Sequence, residues 1–493
     1  MSKANWILGV VITLSATSCM VGPDYERPGD LPVPDDFRAQ KAADSAVQTE
    51  QDAQRTFGDL AWSEAFGDPV LQELIETALE NNQDLAIAAE RVMQARSFVT
   101  ITAADRLPDV NAEGSYQVSK STKNGTIPLP SGFGSTTEQW LVGANLSWEL
   151  DFWGRFARAS EAARADMMAT HYARQAIMQS LVAELASSYF DLLLLDAQLH
   201  ISQETLDSRQ SSLDLVSLRL DQGVANKVEY YQAQGLVLET ASVLPALEQA
   251  IQQRENAIRF LIGAGPGPVT RGLPLREQSF AIDVPIGLPS NLLQRRPDVS
   301  QAEQGLVAAN ARIGEAKALL YPSIGLTVFG GLASEDLSDL TSSGSDTWGI
   351  TPSVYLPIFN GGRLRSNIDV TESQKREAAL RYTQTLQTAF REVADALIRR
   401  QKRAEVRDWQ SQRESSAQSQ VELSRDRYLG GVTSYLEVLE SERGHFDSEI
   451  SLTASIRDEL LSYVQLYRAL GGGWQGPEAA AFEAEGEPTQ EGL

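Results

Sequence analysis

Apolar and polar positions follow two different periods along this chain, and the places where the period switches divide it into elements. In 110–119, Val110, Ala112, Tyr116 and Val118 alternate with Asn111, Glu113, Ser115, Gln117 and Ser119. In 141–152, Val142, Ala144, Leu146, Trp148, Leu150 and Phe152 alternate with Asn145, Ser147, Glu149 and Asp151. Ile324, Leu326, Val328 and Leu332 continue the pattern, as do Trp348, Ile350, Val354, Leu356 and Ile358. A period of two predicts strands, here four, each with an apolar face and a fully polar one. Loops rich in Gly, Ser and Thr (120–136 and 333–346) pair them. Between the strand pairs the period becomes helical, as at Ile177, Leu181, Leu185, Tyr189 and Leu192.

Residues 155–222 and 363–429 contain no glycine and no proline, although the chain has 36 and 20 of them. These runs are rich in strong helix formers, and at 1.5 Å per residue each predicts a helix of about 100 Å. Gly223 and Gly430-Gly431 end them, and return helices follow. Pro245 lies inside the first return helix and predicts a kink. The second has Gly444 as its one interruption.

The pattern occurs twice. "NNQDLAIAAERVMQARSFVTITAADRLPD" (81–109) resembles "RRPDVSQAEQGLVAANARIGEAKALLYPS" (295–323), and "QGVANKVEYYQAQ" (222–234) resembles "GGVTSYLEVLESE" (430–442). The chain is thus an internal duplication. Repeat one covers 68–265 and repeat two 290–474, joined by a Gly/Pro-rich linker at 266–289. The tail, 475–493, carries five acids and no bases, a composition that predicts disorder.

The first residues change the picture. "MSKANWILGVVITLSATSC" has a positive start, a short apolar run and small residues ahead of Cys19, the only cysteine among 493 residues. This is the form of a secretory signal over 1–18, too short to span a bilayer as a helix. Cys19 at the junction resembles the lipobox of bacterial lipoproteins, with Ala16 in place of the usual leucine. It would acylate Cys19 and make 19–67 a lipid-anchored extended segment. The other reading is an ordinary signal peptide with an incidental cysteine.

Export reinterprets the strands. Strands of about ten residues with a polar face and terminal aromatics fit a transmembrane β-barrel. A soluble half-buried sheet would show the same alternation. Four strands cannot close a barrel, and open edges are not tolerated in lipid, so if these strands span a bilayer several chains must share one. Periodicity permits a dimer with eight strands or a trimer with twelve.

Composition excludes other classes. With 42 basic and 66 acidic residues the net charge is −24, which argues against nucleic acid as a partner. One cysteine rules out a disulfide framework or thiolate zinc site. His171, His200 and His445 are scattered on helical segments. Hence neither a His-ligated metal, a catalytic triad nor a cofactor is expected, and the chain does not read as an enzyme. With six methionines, Met167-Met168 being the adjacent pair, a methionine-lined copper or silver route has little support.

Together these residues resemble a known family. "CMVGPDYERP" (19–28), "WELDFWGR" (148–155) with "LPIFNGGR" (356–363), "RLDQGVAN" (219–226), "LPALEQA" (244–250) and "RYLGGVTSYLEVLESER" (427–443) are similar to motifs of TolC-like outer membrane factors of the lipoprotein branch. The resemblance runs from Cys19 to about Trp474. It implies an α+β membrane protein: a homotrimer with a shared twelve-stranded barrel in the bacterial outer membrane, four strands per chain, and a long periplasmic helical barrel. It also implies passive efflux, with an inner-membrane pump, often of the resistance-nodulation-division type, and a periplasmic adaptor as partners. The helix turns would form the periplasmic tips, where Gly223, Val224, Gly431 and Val432 would meet the adaptor. Arg219 and Arg427 recur beside them, explained equally by helix-end capping and by partner binding. Glu437 and Glu440 match positions of lumen acids that line the gate; they are also readable as solvated charges pairing with Arg443 or a neighbour. The alternative functions are a lipid-anchored periplasmic adaptor and a coiled-coil scaffold without a pore. The cargo is not legible.

Overall fold

Two 67-residue helices dominate the chain, and each ends within one residue of the boundary its glycine- and proline-free run predicts. They are seen in a computed structural model that describes residues 20–29, 60–122, 135–278, 280 and 295–472. Cys19, the signal peptide and the tail lie outside the described residues, as does most of 279–289. The elements in order are α1 (Trp62–Ala65), α2 (Pro69–Asn81), α3 (Gln83–Ala104), β1 (Asp109–Lys120), β2 (Thr136–Leu150), α4 (Arg155–Asp221), α5 (Lys227–Leu261), α6 (Pro297–Ala318), β3 (Ser323–Ser334), β4 (Asp346–Tyr355), α7 (Arg363–Leu429) and α8 (Tyr435–Ala469).

The duplication is visible in these lengths. Helices α3 and α6 each have 22 residues, α4 and α7 each 67, and α5 and α8 each 35. Helix α5 runs unbroken through Pro245, so the proline does not end it. Contacts divide the chain into two compact units: residues 1–30, 92–170 and 302–382, and residues 31–91, 171–301 and 383–493.

The first unit contains one antiparallel sheet of order β1-β2-β3-β4. Its register aligns the alternation across all strands. Val110 faces Leu146, Leu146 faces Val328 and Val328 faces Ile350. Leu150, Ile324 and Val354 form a parallel row. Ser147, Thr327 and Thr351 belong to the other face. That face is not fully polar as expected, because Phe329 lies on it against Gly143 and Gly331, where a Cβ would strike the ring. The apolar face is uncovered: Val110, Val142, Trp348, Ile350 and Val354 are exposed. Strand β4 stops at Tyr355, before Pro357, so Leu356 and Ile358 fall beyond it; β2 likewise stops short of Phe152. Ile358 and Phe359 are 92% and 91% exposed.

Residues 20–27 cross this unit without regular secondary structure. Val21 N donates to Trp153 O (3.1 Å), Asn310 Nδ2 to Pro23 O (2.9 Å) and Arg158 Nη2 to Asp24 Oδ1 (2.8 Å). Arg27 grips Glu303 with Nε and Nη2 (2.7 and 2.5 Å), and Tyr25 donates to the same carboxylate (3.0 Å). The segment predicted to follow a lipid anchor is therefore held by paired charges and backbone carbonyls, and it places position 20 against the loop after β2.

In the second unit a buried carboxylate organises the start of repeat one. Asp68 is 1% exposed; its Oδ1 caps α2 through Val70 N (2.9 Å), with Pro69 in the first turn as a preformed helix start. Its Oδ2 accepts from Tyr189 Oη (2.9 Å), Leu273 N (3.0 Å) and Gln278 Nε2 (2.6 Å). Gly272 N donates to Tyr189 Oη (2.8 Å). Arg271 adds a fork to Asp196 (2.9 and 3.1 Å) and pairs with Glu255. Residues 271–278 of the linker are thus bonded to α2, α4 and α5. Phe66, Phe190, Phe280, Tyr463 and Tyr467 pack around them ring to ring. The apolar stretch of α4 is long enough for a membrane span by composition, but 61% of it is buried within the chain; its apolarity is accounted for by packing.

Candidate functional site at the hairpin turns

Each long helix ends in the same five-residue reversal. After α4, Gly223 adopts φ +73°, and the amides of Val224 and Ala225 donate back to Arg219 O (2.8 and 3.1 Å). After α7, Gly431 also has φ +73°, and Val432 N donates to Arg427 O (3.0 Å). These are glycine-terminated helix ends of the left-handed type. A Cβ at Gly223 or Gly431 would meet nothing within 4 Å, so backbone conformation rather than crowding selects glycine. The reversal leaves Val224 and Val432 66% and 74% exposed, two valines unshielded at the turns. The return helices restart differently. Asn226 Oδ1 accepts from Val228 N and Glu229 N (2.8 and 3.1 Å), whereas Ser434 gives α8 no side-chain cap.

The two turns are knit into one body. Val216, Ala233, Leu236, Tyr428, Tyr435, Val438 and Leu439 form a buried cluster drawn from α4, α5, α7 and α8. The Arg219 guanidinium lies 4.6 Å above the Tyr428 ring, a cation–π contact between repeats. Tyr428 Oη reaches Glu229 Oε2 (3.4 Å). Burial raises the Tyr428 hydroxyl above its ordinary pKa, with Arg219 opposing that rise. Burial also raises Tyr435. Arg219 thus ties the end of α4 to the end of α7.

Arg427 and Glu437 meet. Arg427 Nε lies 3.2 Å from Glu437 Oε1, and Thr433 Oγ1 donates to Glu437 Oε2. The pairing is not with Arg443, which instead donates to Glu239 of α5 (3.1 Å). Glu440 is exposed and contributes to the field at Arg443. The two acids thus occupy different settings: Glu437 is tethered across its own turn and Glu440 is open.

Below the turn lies a polar layer that the sequence did not single out. Arg425 donates to Glu442 Oε1 through Nε and Nη2 (3.1 and 2.7 Å) and to Ser208 Oγ (2.9 Å). Ser424 and Ser441 hydroxyls lie 2.6 Å apart. Arg209, buried under the Phe446 ring, donates to Leu236 O (3.3 Å) and Thr240 Oγ1 (2.5 Å). Burial holds its guanidinium below the ordinary pKa. A readable signal existed: partners across the second turn lie at nearly equal distances along the chain from Gly431-Val432, as do Ser424 with Ser441, Arg425 with Glu442 and Arg403 with Asp458.

Comparison with known proteins places this geometry. The family described as outer membrane efflux protein matches residues 74–264 and 288–472, most of the chain. The chain is 37% identical over 471 residues to the cation efflux system protein CusC of Escherichia coli O6:H1, covering 95% of this chain and 99% of that protein. It is 36% identical over 458 residues to the solvent efflux pump outer membrane protein SrpC of Pseudomonas putida, covering 92% and 96%. The solved open state of the Neisseria gonorrhoeae MtrE outer membrane channel superposes with a TM-score of 0.82 at 30% identity, covering 93% of this chain and 99% of that one.

Proposed function

The chain belongs to the outer membrane efflux protein family, and from that premise we propose how its parts divide the work of a duct. It is an outer membrane channel component of an efflux system with a TolC-like fold. We propose that three copies join edge to edge, because the sheet has an uncovered apolar face and β1 and β4 each lack a partner on one side among the described residues. Lipid would cover the apolar face, and neighbouring copies would pair the edges. Twelve strands then line one pore with polar side chains such as Ser147, Thr327 and Thr351. Cys19 carries the lipid, and residues 20–27 strap it to the loop after β2.

The hairpin turns form the periplasmic end. The Arg427–Glu437 pair and the Arg219–Tyr428 stack hold them in the closed arrangement, Glu440 presents an open carboxylate to the lumen, and Val224 and Val432 offer apolar contacts to an adaptor. The adaptor links the duct to an inner-membrane pump, which supplies the energy, and the duct itself performs no chemistry. The relatives' names span cations and organic solvents at similar identity, which fits a duct whose cargo is chosen upstream. The observation that carries this reading is the exposed apolar sheet face in a chain that also has the duplicated 67-residue helices.

A photo-crosslinking residue in place of Val432, in living cells, tests the periplasmic contact. The expected product is a covalent complex with a periplasmic adaptor. Crosslinks confined to the chain's own copies would place the docking surface elsewhere.

A further inference from the structure

Helix α8 presents His445 and Glu449 one turn apart, and α7 brings Glu414 against them. His445 Nε2 lies 3.6 Å from Glu414 Oε1, and His445 Nδ1 lies 3.7 Å from Glu449 Oε2. Both distances are too long for hydrogen bonds. One ligand atom from each of the three residues falls within 4.8 Å of the other two. His445 Nε2 is buried and makes no hydrogen bond among the described residues. All three side chains are half-buried, between 20% and 25% exposed. A cavity of about 300 Å³ opens beside His445 and Glu449, with Glu204, Arg209, Gln418 and Glu422 on its wall.

We propose that Glu414, His445 and Glu449 form a binding site for a divalent transition metal of the zinc type, bridging α7 and α8. One imidazole nitrogen with two carboxylate oxygens is a borderline donor set, which suits Zn²⁺ better than the all-oxygen preference of Ca²⁺ or Mg²⁺. Three protein ligands leave a position open, and the cavity supplies water to fill it. Protons and metal compete for the same ligand atoms. Glu204 and Glu422 on the cavity wall add two further carboxylates to those of Glu414 and Glu449. A cation set among these acids relieves their mutual repulsion. Bound metal would pin the two helices of the second hairpin together at a level where no other bridge between Glu414 and α8 exists among the described residues. The site lies away from the hairpin turns, so it does not depend on the gate or docking assignments.

The test uses the full chain in detergent, stripped with a chelator and dialysed, then titrated with Zn²⁺ by calorimetry and analysed for bound metal. The expected result is one Zn²⁺ per chain, with His445→Gln and Glu414→Gln each weakening binding about tenfold or more, while His200→Gln, on an exposed His–Glu pair (3.4 Å), leaves it unchanged. Zinc should also raise the thermal midpoint of the wild type by mass action and not that of His445→Gln. Co²⁺ should give the same stoichiometry with a visible absorption that His445→Gln loses. Variants are compared only where their circular dichroism matches the wild type; should His445→Gln misfold, Glu414→Gln and the Co²⁺ spectrum of the wild type carry the test. Binding that survives in both variants, follows His200, or falls well below one metal per chain would overturn the proposal.

Discussion

Replacing Asp68 by alanine should lower the unfolding free energy by about 3–5 kcal/mol, since it strands several buried donors and removes a helix cap. The carboxylate is 1% exposed and accepts from Val70 N, Tyr189 Oη, Leu273 N and Gln278 Nε2. These groups belong to α2, α4 and the segment after α5, so all lose an acceptor at once. Tyr189 is itself fully buried and cannot turn its hydroxyl to water. Gly272 packs so closely that a Cβ there would meet Asp68 Oδ1 at 2.1 Å, leaving little space for water to replace the lost oxygens. Asp68→Asn keeps the shape but turns donors toward donors, and an intermediate loss of about 2 kcal/mol is expected. Guanidinium unfolding in detergent, followed by circular dichroism, measures both; Glu73→Ala, an exposed position on α2, should be close to neutral.

An asymmetric response is expected at the polar layer below the second turn. Glu442 has a 6% exposed carboxylate, whereas the Arg425 side chain is 42% exposed. Arg425→Leu leaves a buried charge whose one remaining hydrogen bond among the described residues is from Ser212 Oγ to Oε1 (3.4 Å), and about 3 kcal/mol should be lost, as when one partner of a buried pair is removed. Glu442→Leu frees an arginine that can swing into water, and about 1 kcal/mol is expected. The double variant should recover most of the Arg425→Leu loss, because two apolar side chains then face Ser212 and Val438 without an unpaired ion. A double-mutant cycle on thermal and denaturant midpoints measures this ordering. Equal single losses would mean that both charges are solvated.

These two sites also show where sequence reasoning stopped. Helix bounds were legible because glycine and proline act locally: the run 155–222 predicted α4 (Arg155–Asp221), and 363–429 is α7 itself. Strand faces were legible from alternation, and the overrun at Leu356 and Ile358 came from following the apolar positions beyond Tyr355 and across Pro357. Positive φ at Gly223 and Gly431 followed from the need to reverse a helix. Asp68 was not legible as a centre. Asp-Pro announces a helix start, but its other donors come from residues 189, 273 and 278, and only folding gathers them. Arg219 on Tyr428 was hidden for the same reason, since the two belong to different repeats. The Arg427–Glu437 pair and the approach of Glu414 to His445 were within reach, because both follow from folding the chain back at the named turn. The spacing of the three histidines along the chain says nothing of Glu414, which reaches His445 from a neighbouring helix.

The proposed function is that of a conducting duct which its own turns close. Ion conductance of the purified protein in planar lipid bilayers, wild type beside Arg427→Ala, tests it most directly. Discrete channel steps from both, larger in Arg427→Ala because Glu437 loses its tether, are the result expected. Inserted protein that gives no steps in either form would contradict the claim.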